Sequence, residues 1–379
     1  MDNSILFEED APPLKKCAGC GQYFDEDKLK RCRVCGEYFC STCQKTHDCR
    51  DHSVGDGSGR VPSPAPSTQI KSDGTAVPPV SPPCVSKPVN NDGEVLVEVS
   101  DLSKHYAAFG IEHVSFTLRA GSVMGFIGEN GAGKTTTLKT MIDIAKRDSG
   151  KVYYFGHDIK ELPIEIKKRI AVVFDDAYLH ENFTAKQLSS IFGLIYFKRW
   201  DEKVFFSYLR KFRVDPNKKI SAYSRGMRMK ISIAIALSHN PRVLILDEPT
   251  SGLDPVIRDE ILDCLFEFVQ SGSRCILFST HITSDIDKIA DAITFIHNGK
   301  IIFSMSKDAL LNNMGIIQCQ ESDIPMFGSA VVKVKRNEIG CKVLVNDRKQ
   351  FEQSGISVIP ATTEEIMLFY VRGDTEVQR

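Results

Sequence analysis

Residues 128–135 read Gly128-Glu129-Asn130-Gly131-Ala132-Gly133-Lys134-Thr135, the spacing G-x-x-x-x-G-K-[ST] of a phosphate-binding loop. Small residues let backbone N–H groups converge on phosphate oxygens, and a following helix aims its positive dipole end at them. Lys134 is placed to reach terminal phosphates, and the Thr135 hydroxyl is a ligand suited to Mg²⁺. A glycine-rich turn is otherwise a plain strand-to-helix connection. Here all the required positions are filled, and the apolar run Val123-Met124-Gly125-Phe126-Ile127 predicts a buried strand before it. After it, Leu138, Met141, Ile142 and Ala145 recur at helical spacing, predicting a helix over 135–145.

A second group with chemical potential follows the apolar run Val243-Leu244-Ile245-Leu246. Asp247 and Glu248 end that strand, and no core tolerates two carboxylates without partners. Asp247 is placed to hold Mg²⁺, and Glu248 to orient and polarise a water attacking a γ-phosphate. His281 follows the strand Cys275-Ile276-Leu277-Phe278-Ser279 at its C-terminal end, where parallel sheets bind ligands. Contact with the γ-phosphate is therefore expected of it, against the alternative of a structural histidine. Ser224 precedes a helical run containing Ile231, Ala234, Ile235 and Leu237, so it can cap a helix whose free N–H groups suit another phosphate. Asp254-Pro255 has the form of an N-cap and first helical residue, which leaves a second role open. Tyr106 could stack on a purine or simply fill space.

A third group lies in the head, with the order Cys17-x2-Cys20-x11-Cys32-x2-Cys35-x4-Cys40-x2-Cys43-x3-His47-x-Cys49. These ligands suffice for two tetrahedral zinc sites, with His52 as a spare. Full ligand sets favour a structural or docking module over a zinc enzyme. Free or redox thiols are the competing account, and the repeated C-x-x-C pairs argue against it. A segment this short needs metal to supply folding energy. The remaining cysteines (Cys84, Cys264, Cys275, Cys319, Cys341) are scattered and read as ordinary thiols. Clustered pairs without a secretion signal point to a reducing compartment.

The chain of 379 residues has room for two domains, or one large domain with appendages. A net charge of −1 offers no bulk attraction to nucleic acid or anionic lipid, so no nucleic-acid partner is expected. No apolar stretch approaches the roughly 18–20 residues needed to cross a bilayer, so another chain would supply any spanning helices. The expected order is a tail at 1–13, a finger at 14–52 and a linker at 53–92. A nucleotide domain at 94–305 and an α+β extension at 306–379 follow. The linker carries prolines at 62, 64, 66, 78, 79, 82, 83 and 88 and no structural period. Its roughly 40 residues imply an end separation of about 35 Å. Alternation predicts strands at Val95–Val99 and Val114–Leu118, and a hairpin turning at Asn298-Gly299. In the extension, two strands flank residues 337–340, and Thr362-Thr363-Glu364-Glu365 forms a capping box. The helix after it carries Ile366, Met367, Phe369 and Tyr370 and is expected to pack on the core.

Taken together, residues 94–305 resemble the ATP-binding cassette (ABC) family, with each landmark in order. The resemblance implies an α/β P-loop NTPase fold with a helical subdomain and N-terminal β strands. It implies ATP held by Gly128, Asn130, Gly131, Gly133, Lys134, Thr135 and Thr136, with Tyr106 on the adenine. Thr135 and Asp247 would hold Mg²⁺; Glu248, His281 and Lys134 would be catalytic. Ser224 and Gly226 would belong to the signature, which reads Tyr223-Ser224-Arg225-Gly226-Met227 where the family usually has Leu-Ser-Gly-Gly-Gln. Asp254 would belong to the D-loop. Asp175 stands where the family carries Gln, and could meet Mg²⁺ or water instead. The head resembles two-zinc cross-brace fingers of the AN-one type, which implies Cys17, Cys20, Cys40 and Cys43 on one zinc and Cys32, Cys35, His47 and Cys49 on the other. Cys43 departs from the histidine usual there.

Residues 173–175, 223–227 and 366–370 look most like single-cassette ATPases of bacterial type-two exporters. That resemblance implies a cytoplasmic protein, peripheral to the membrane through a permease. It would pair with a second cassette, identical or not, around two ATP. Its permease would dock near Asp175 and residues 180–215. The rival readings are a soluble ATP-driven switch whose finger recruits a macromolecular partner, and a finger that senses zinc and gates the ATPase.

Overall fold

The structure is a computed structural model that describes residues 93–175, 179–337 and 340–374, and four short strands nearer the N-terminus. Residues 1–85 and 86–379 form two compact units. In the first, β1 (Lys15–Lys16) pairs antiparallel with β2 (Tyr23–Phe24), and β3 (Leu29–Arg31) with β4 (Tyr38–Cys40). Leu29 is buried. The backbone of Cys40 lies in β4, opposite Leu29. Its side chain, the other expected zinc ligands (Cys17, Cys20, Cys32, Cys35, Cys43, His47, Cys49), His52 and the linker all lie outside the described residues.

The second unit opens with a long antiparallel hairpin, β5 (Val95–Tyr106) and β6 (Phe109–Arg119). Strict alternation holds in β6, where Val114, Phe116 and Leu118 are buried and Ser115 and Thr117 exposed. In β5 it fails: irregularities in the pairing bury Leu96 and Val97 together. Then come β7 (Val123–Ile127), α1 (Lys134–Met141), β8 (Ser149–Tyr154) and β9 (His157–Asp158). Strands β6-β5-β8-β9 make one antiparallel sheet. Helix α1 is shorter than its apolar spacing predicts, because Asp143 turns left-handed at φ 62°.

Beyond β10 (Ile170–Val173) the chain is helical: α2 (Ala185–Tyr196), α3 (Glu202–Lys211) and α4 (Arg225–Leu237). It returns through β11 (Val243–Asp247), α5 (Pro255–Val269), β12 (Cys275–Thr280) and α6 (Thr283–Ile289). A last hairpin, β13 (Ala292–His297) and β14 (Lys300–Ser306), turns at Asn298 and Gly299, both at positive φ. The main sheet runs β10-β11-β12-β7-β13-β14, parallel except for β14. Every residue of β7, β11 and β12 is buried, as expected of parallel strands covered on both faces.

The extension begins with α7 (Lys307–Asn313) and β15 (Gly315–Cys319), and continues with β16 (Val331–Asn337), β17 (Gly340–Val345), α8 (Arg348–Gln353) and β18 (Ile359–Pro360). Its sheet, β16-β17-β15-β18, has an apolar cluster of its own. The final helix, α9 (Thr363–Arg372), is capped reciprocally by Thr362 and Glu365. It returns to the main core, burying Ile366, Met367 and Phe369 there. Tyr370 places its ring 5.9 Å from that of Phe295 and 5.5 Å from that of Phe303.

One packing detail carries a pH signature. His239 is buried after α4, stacked on Tyr196 at 3.9 Å, and its Nδ1 donates to the Lys168 carbonyl at 3.0 Å. Burial pushes its pKa down from 6.5 to about 4, with the Arg199 charge adding to the effect. The unfolded chain therefore binds an extra proton between these values, and stability rises with pH across the window. We expect acidification from pH 6.5 to 4 to remove up to about 3 kcal/mol through this group. Chemical denaturation at several pH values checks it. The His239→Gln variant should lose that part of the slope, and an unchanged slope would acquit the histidine.

Candidate functional site

The C-terminal ends of β7, β11 and β12 lie side by side, and each delivers part of one constellation. From β7 comes the glycine-rich loop. Gly131 and Gly133 take φ values of 84° and 113°. At Gly133 a Cβ would come within 2.8 Å of Ile111, and at Gly128 within 2.4 Å of the Ile296 carbonyl. Packing therefore requires glycine at position 128, and packing and backbone shape together require it at position 133. At Gly131 a Cβ would meet nothing within 4 Å, so the loop faces open space on that side. No side chain caps α1, which leaves its first-turn N–H groups for an external anion.

From β11 come Asp247 and Glu248, the latter at φ 49°. Asp247 is buried and accepts from the Thr135 hydroxyl at 2.7 Å and from Ser279 at 2.6 Å. Glu248 pairs with Lys134 at 3.1 Å through one oxygen and with His281 Nδ1 at 2.8 Å through the other. The Lys134 contact is an ion pair without a directed hydrogen bond. The ammonium donates instead to the carbonyls of Gly128 at 2.8 Å and Glu129 at 3.1 Å. An ionised carboxylate only accepts, so His281 carries its proton on Nδ1. The partners that two strand-end carboxylates require are thus a lysine, a histidine and two hydroxyls.

The fit to magnesium nucleotide can be tested on these atoms. A hydroxyl and a carboxylate 2.7 Å apart are hard oxygen donors of the kind magnesium takes, with phosphate and water to complete the set. One buried Glu248 oxygen lacks a hydrogen bond, and the loop is open at Gly131. Thr135 and Asp247 fit the ion. Among the described residues no group of three or more His, Cys, Asp or Glu could hold a metal by itself.

Other expected residues lie elsewhere. Tyr106 is exposed at the end of β5, with the Lys104 ammonium 5.2 Å from its ring. Ser224 caps α4 by accepting from the Met227 N–H at 3.3 Å, and Asp254 caps α5 through the N–H groups of Val256 and Ile257. Gly226 is buried, and a Cβ there would sit 3.0 Å from Ile257, so close helix packing is one reason for glycine. Asn130 lies exposed at the loop, and Thr136 is in the first turn of α1. Asp175 does not join the Thr135–Asp247 pair. Its carboxylate is taken by Arg225.

Sequence reasoning missed several participants. Ser279 faces Asp247 because the two residues are partners in the β11–β12 register. Asp285 is fully buried and accepts from Thr250 at 2.5 Å and from the Arg258 guanidinium. It ties the turn after Glu248 to the helix after His281. No spacing rule reveals either contact.

Phosphate loop, parallel sheet and strand-end acids define a P-loop NTPase. The ABC transporter family (ABC_tran) matches residues 111–251. The chain is 32% identical over 225 residues to the ABC transporter ATP-binding protein NatA of Bacillus subtilis (strain 168), covering 57% of this chain and 91% of that one. It is 31% identical over 234 residues to the bacitracin transport ATP-binding protein BcrA of Bacillus licheniformis, covering 60% and 76%. A solved ATP-binding subunit of an ABC transporter superposes with a TM-score of 0.53 at 28% identity, over 57% of this chain and 92% of that one. The chain belongs to the ABC transporter ATP-binding proteins and is an ABC ATPase.

Proposed function

We propose that the chain is the ATP-hydrolysing subunit of an exporter, in which two cassettes close around two ATP and drive a separately encoded permease. The observation that carries this reading is the convergence of Lys134, Glu248 and His281 with Thr135 and Asp247 at one end of the sheet. When bound, Mg²⁺ would neutralise phosphate charge beside Thr135 and Asp247. Lys134 exchanges its two loop carbonyls for phosphate oxygens. Glu248, released from Lys134, accepts a hydrogen bond from the attacking water, with His281 fixing its other oxygen. Ser224 and Gly226 of the second cassette cap the nucleotide, and Tyr106 stacks on the base.

The transport reading draws support from the bacitracin transport relative. No described helix is long and apolar enough to cross a membrane. Helix α2 and the turn after it leave Leu194 and Phe197 exposed at 83% and 69%, within the segment proposed to meet the permease. An apolar patch of this kind suits a docking surface. The protein would then be cytoplasmic and peripheral to the membrane. The head is proposed to hold two zinc ions on Cys17, Cys20, Cys40 and Cys43 and on Cys32, Cys35, His47 and Cys49, a reading supported by their spacing.

Purifying the tagged full chain from detergent-solubilised membranes tests both parts. A multi-spanning protein should co-purify, and metal analysis should return about two zinc per chain. Recovery of the chain from the soluble fraction alone would speak against transport. Zinc-free protein would remove the finger.

A further inference from the structure

Arg225 is the first residue of α4 and follows Ser224 directly. Its guanidinium pairs with Asp175, two residues past the end of β10. It also lies against Gly252, where a Cβ would fall 3.1 Å from Nη1. One side chain therefore bridges three segments: the helix start, the end of β10 and the turn after Glu248. Arginine here and the acid at 175 are two departures from the family pattern, and in this chain they meet.

The pair is not built to be permanent. Its side chains are 44% and 42% exposed, and exposed ion pairs contribute about 0–1 kcal/mol. Such a contact gives way when a stronger anion arrives. A terminal phosphate carries more charge than a carboxylate and offers several oxygens to the planar guanidinium fork.

We propose that Arg225 is a cation donated to the terminal phosphate of ATP held by the second protomer, with Asp175 as its resting counter-ion. The proposal rests on the two-cassette reading. Before closure, Asp175 neutralises Arg225 and keeps it beside Gly252. On closure, Arg225 exchanges the carboxylate for phosphate, so two cations, Lys134 and the partner protomer's arginine, face the charge that hydrolysis must stabilise. Asp175 thereby sets how readily closure occurs.

The test uses the full chain with MgATP and reads three quantities: nucleotide binding, ATP-dependent dimerisation by sedimentation, and turnover. Arg225→Ala should bind nucleotide within about twofold of the parent, yet lose about 10- to 100-fold in turnover, the size of a lost charge-assisted contact. Arg225→Lys should recover part of that loss. Asp175→Asn should dimerise at lower ATP than the parent, because it frees the guanidinium. Added salt should weaken the parent dimer more than the Arg225→Ala dimer.

Equal turnover and dimerisation in Arg225→Ala would overturn the proposal. So would an Asp175→Asn variant that fails in the same direction as Arg225→Ala, since that marks a merely structural tie. These failures differ from failure of the underlying reading, in which the parent chain itself stays monomeric with MgATP when hydrolysis is blocked by Glu248→Gln.

Discussion

Glu248→Gln is expected to stop ATP turnover while leaving nucleotide binding intact, and to hold the protein as an ATP-bound dimer. In the structure the carboxylate is held between Lys134 at 3.1 Å and His281 at 2.8 Å. A base in this position needs its negative charge to draw a proton from water, and the amide has none. Loss of a positioned general base costs about 10²–10⁴ in rate. The amide matches the carboxylate in size, so the loop and the Thr135–Asp247 contact should persist. There is a second consequence. With its carboxylate partner neutralised, Lys134 has less to give up when phosphate arrives, so ATP affinity should rise rather than fall. Single-turnover hydrolysis and nucleotide titration on the same preparation measure both effects. Turnover at the parent rate would remove Glu248 from the chemistry.

Asp285→Ala should be the more damaging change to stability. Its carboxylate is fully buried and meets Thr250 on one oxygen and Arg258 on the other. Cutting one partner from such an arrangement costs about 3–5 kcal/mol when both charges are buried. Arg258 keeps 26% of its side chain exposed and can recover water, so we expect about 3 kcal/mol. For a unit of this size, that loss lowers Tm by roughly 5 °C. Asp285→Asn keeps an acceptor for Thr250 and should lose less. Because Thr250 begins the turn that contains Gly252, turnover should fall in both variants even well below Tm. Calorimetry and ATPase assays at 20–25 °C separate the two effects. A Tm within about 2 °C of the parent would show the network contributes little.

Much of the machinery was legible because its signals are local. The glycine-rich loop needs particular residues at fixed offsets, since backbone shape and phosphate access are decided within a few bonds. The caps at Ser224, Asp254 and Thr362 are read the same way, and all three side chains accept the N–H groups their positions predict. The hairpin at Asn298-Gly299 follows from residues that tolerate positive φ. The end of α1 was less legible, because a single left-handed residue at Asp143 overrides apolar periodicity. In β5 the irregular pairing, a property of two strands and not one, decides which residues are buried.

Residue types and their spacing were enough to show which residues could handle phosphate, where helices begin, and that Asp247 and Glu248 had to find partners. Tertiary structure alone decided who those partners are. Thr135 meets Asp247 across 112 positions, and Ser279 meets it through strand register. Arg225 reaches Asp175 across 50 positions, and Asp285 gathers Thr250 and Arg258 from separate elements. Helix α9 joins the core that contains Phe295, far back along the chain. The division has one physical cause. Caps, turns and loops are fixed by torsion angles and short-range hydrogen bonds, whereas side-chain pairing depends on strand order and register, which only the packing of the whole sheet sets.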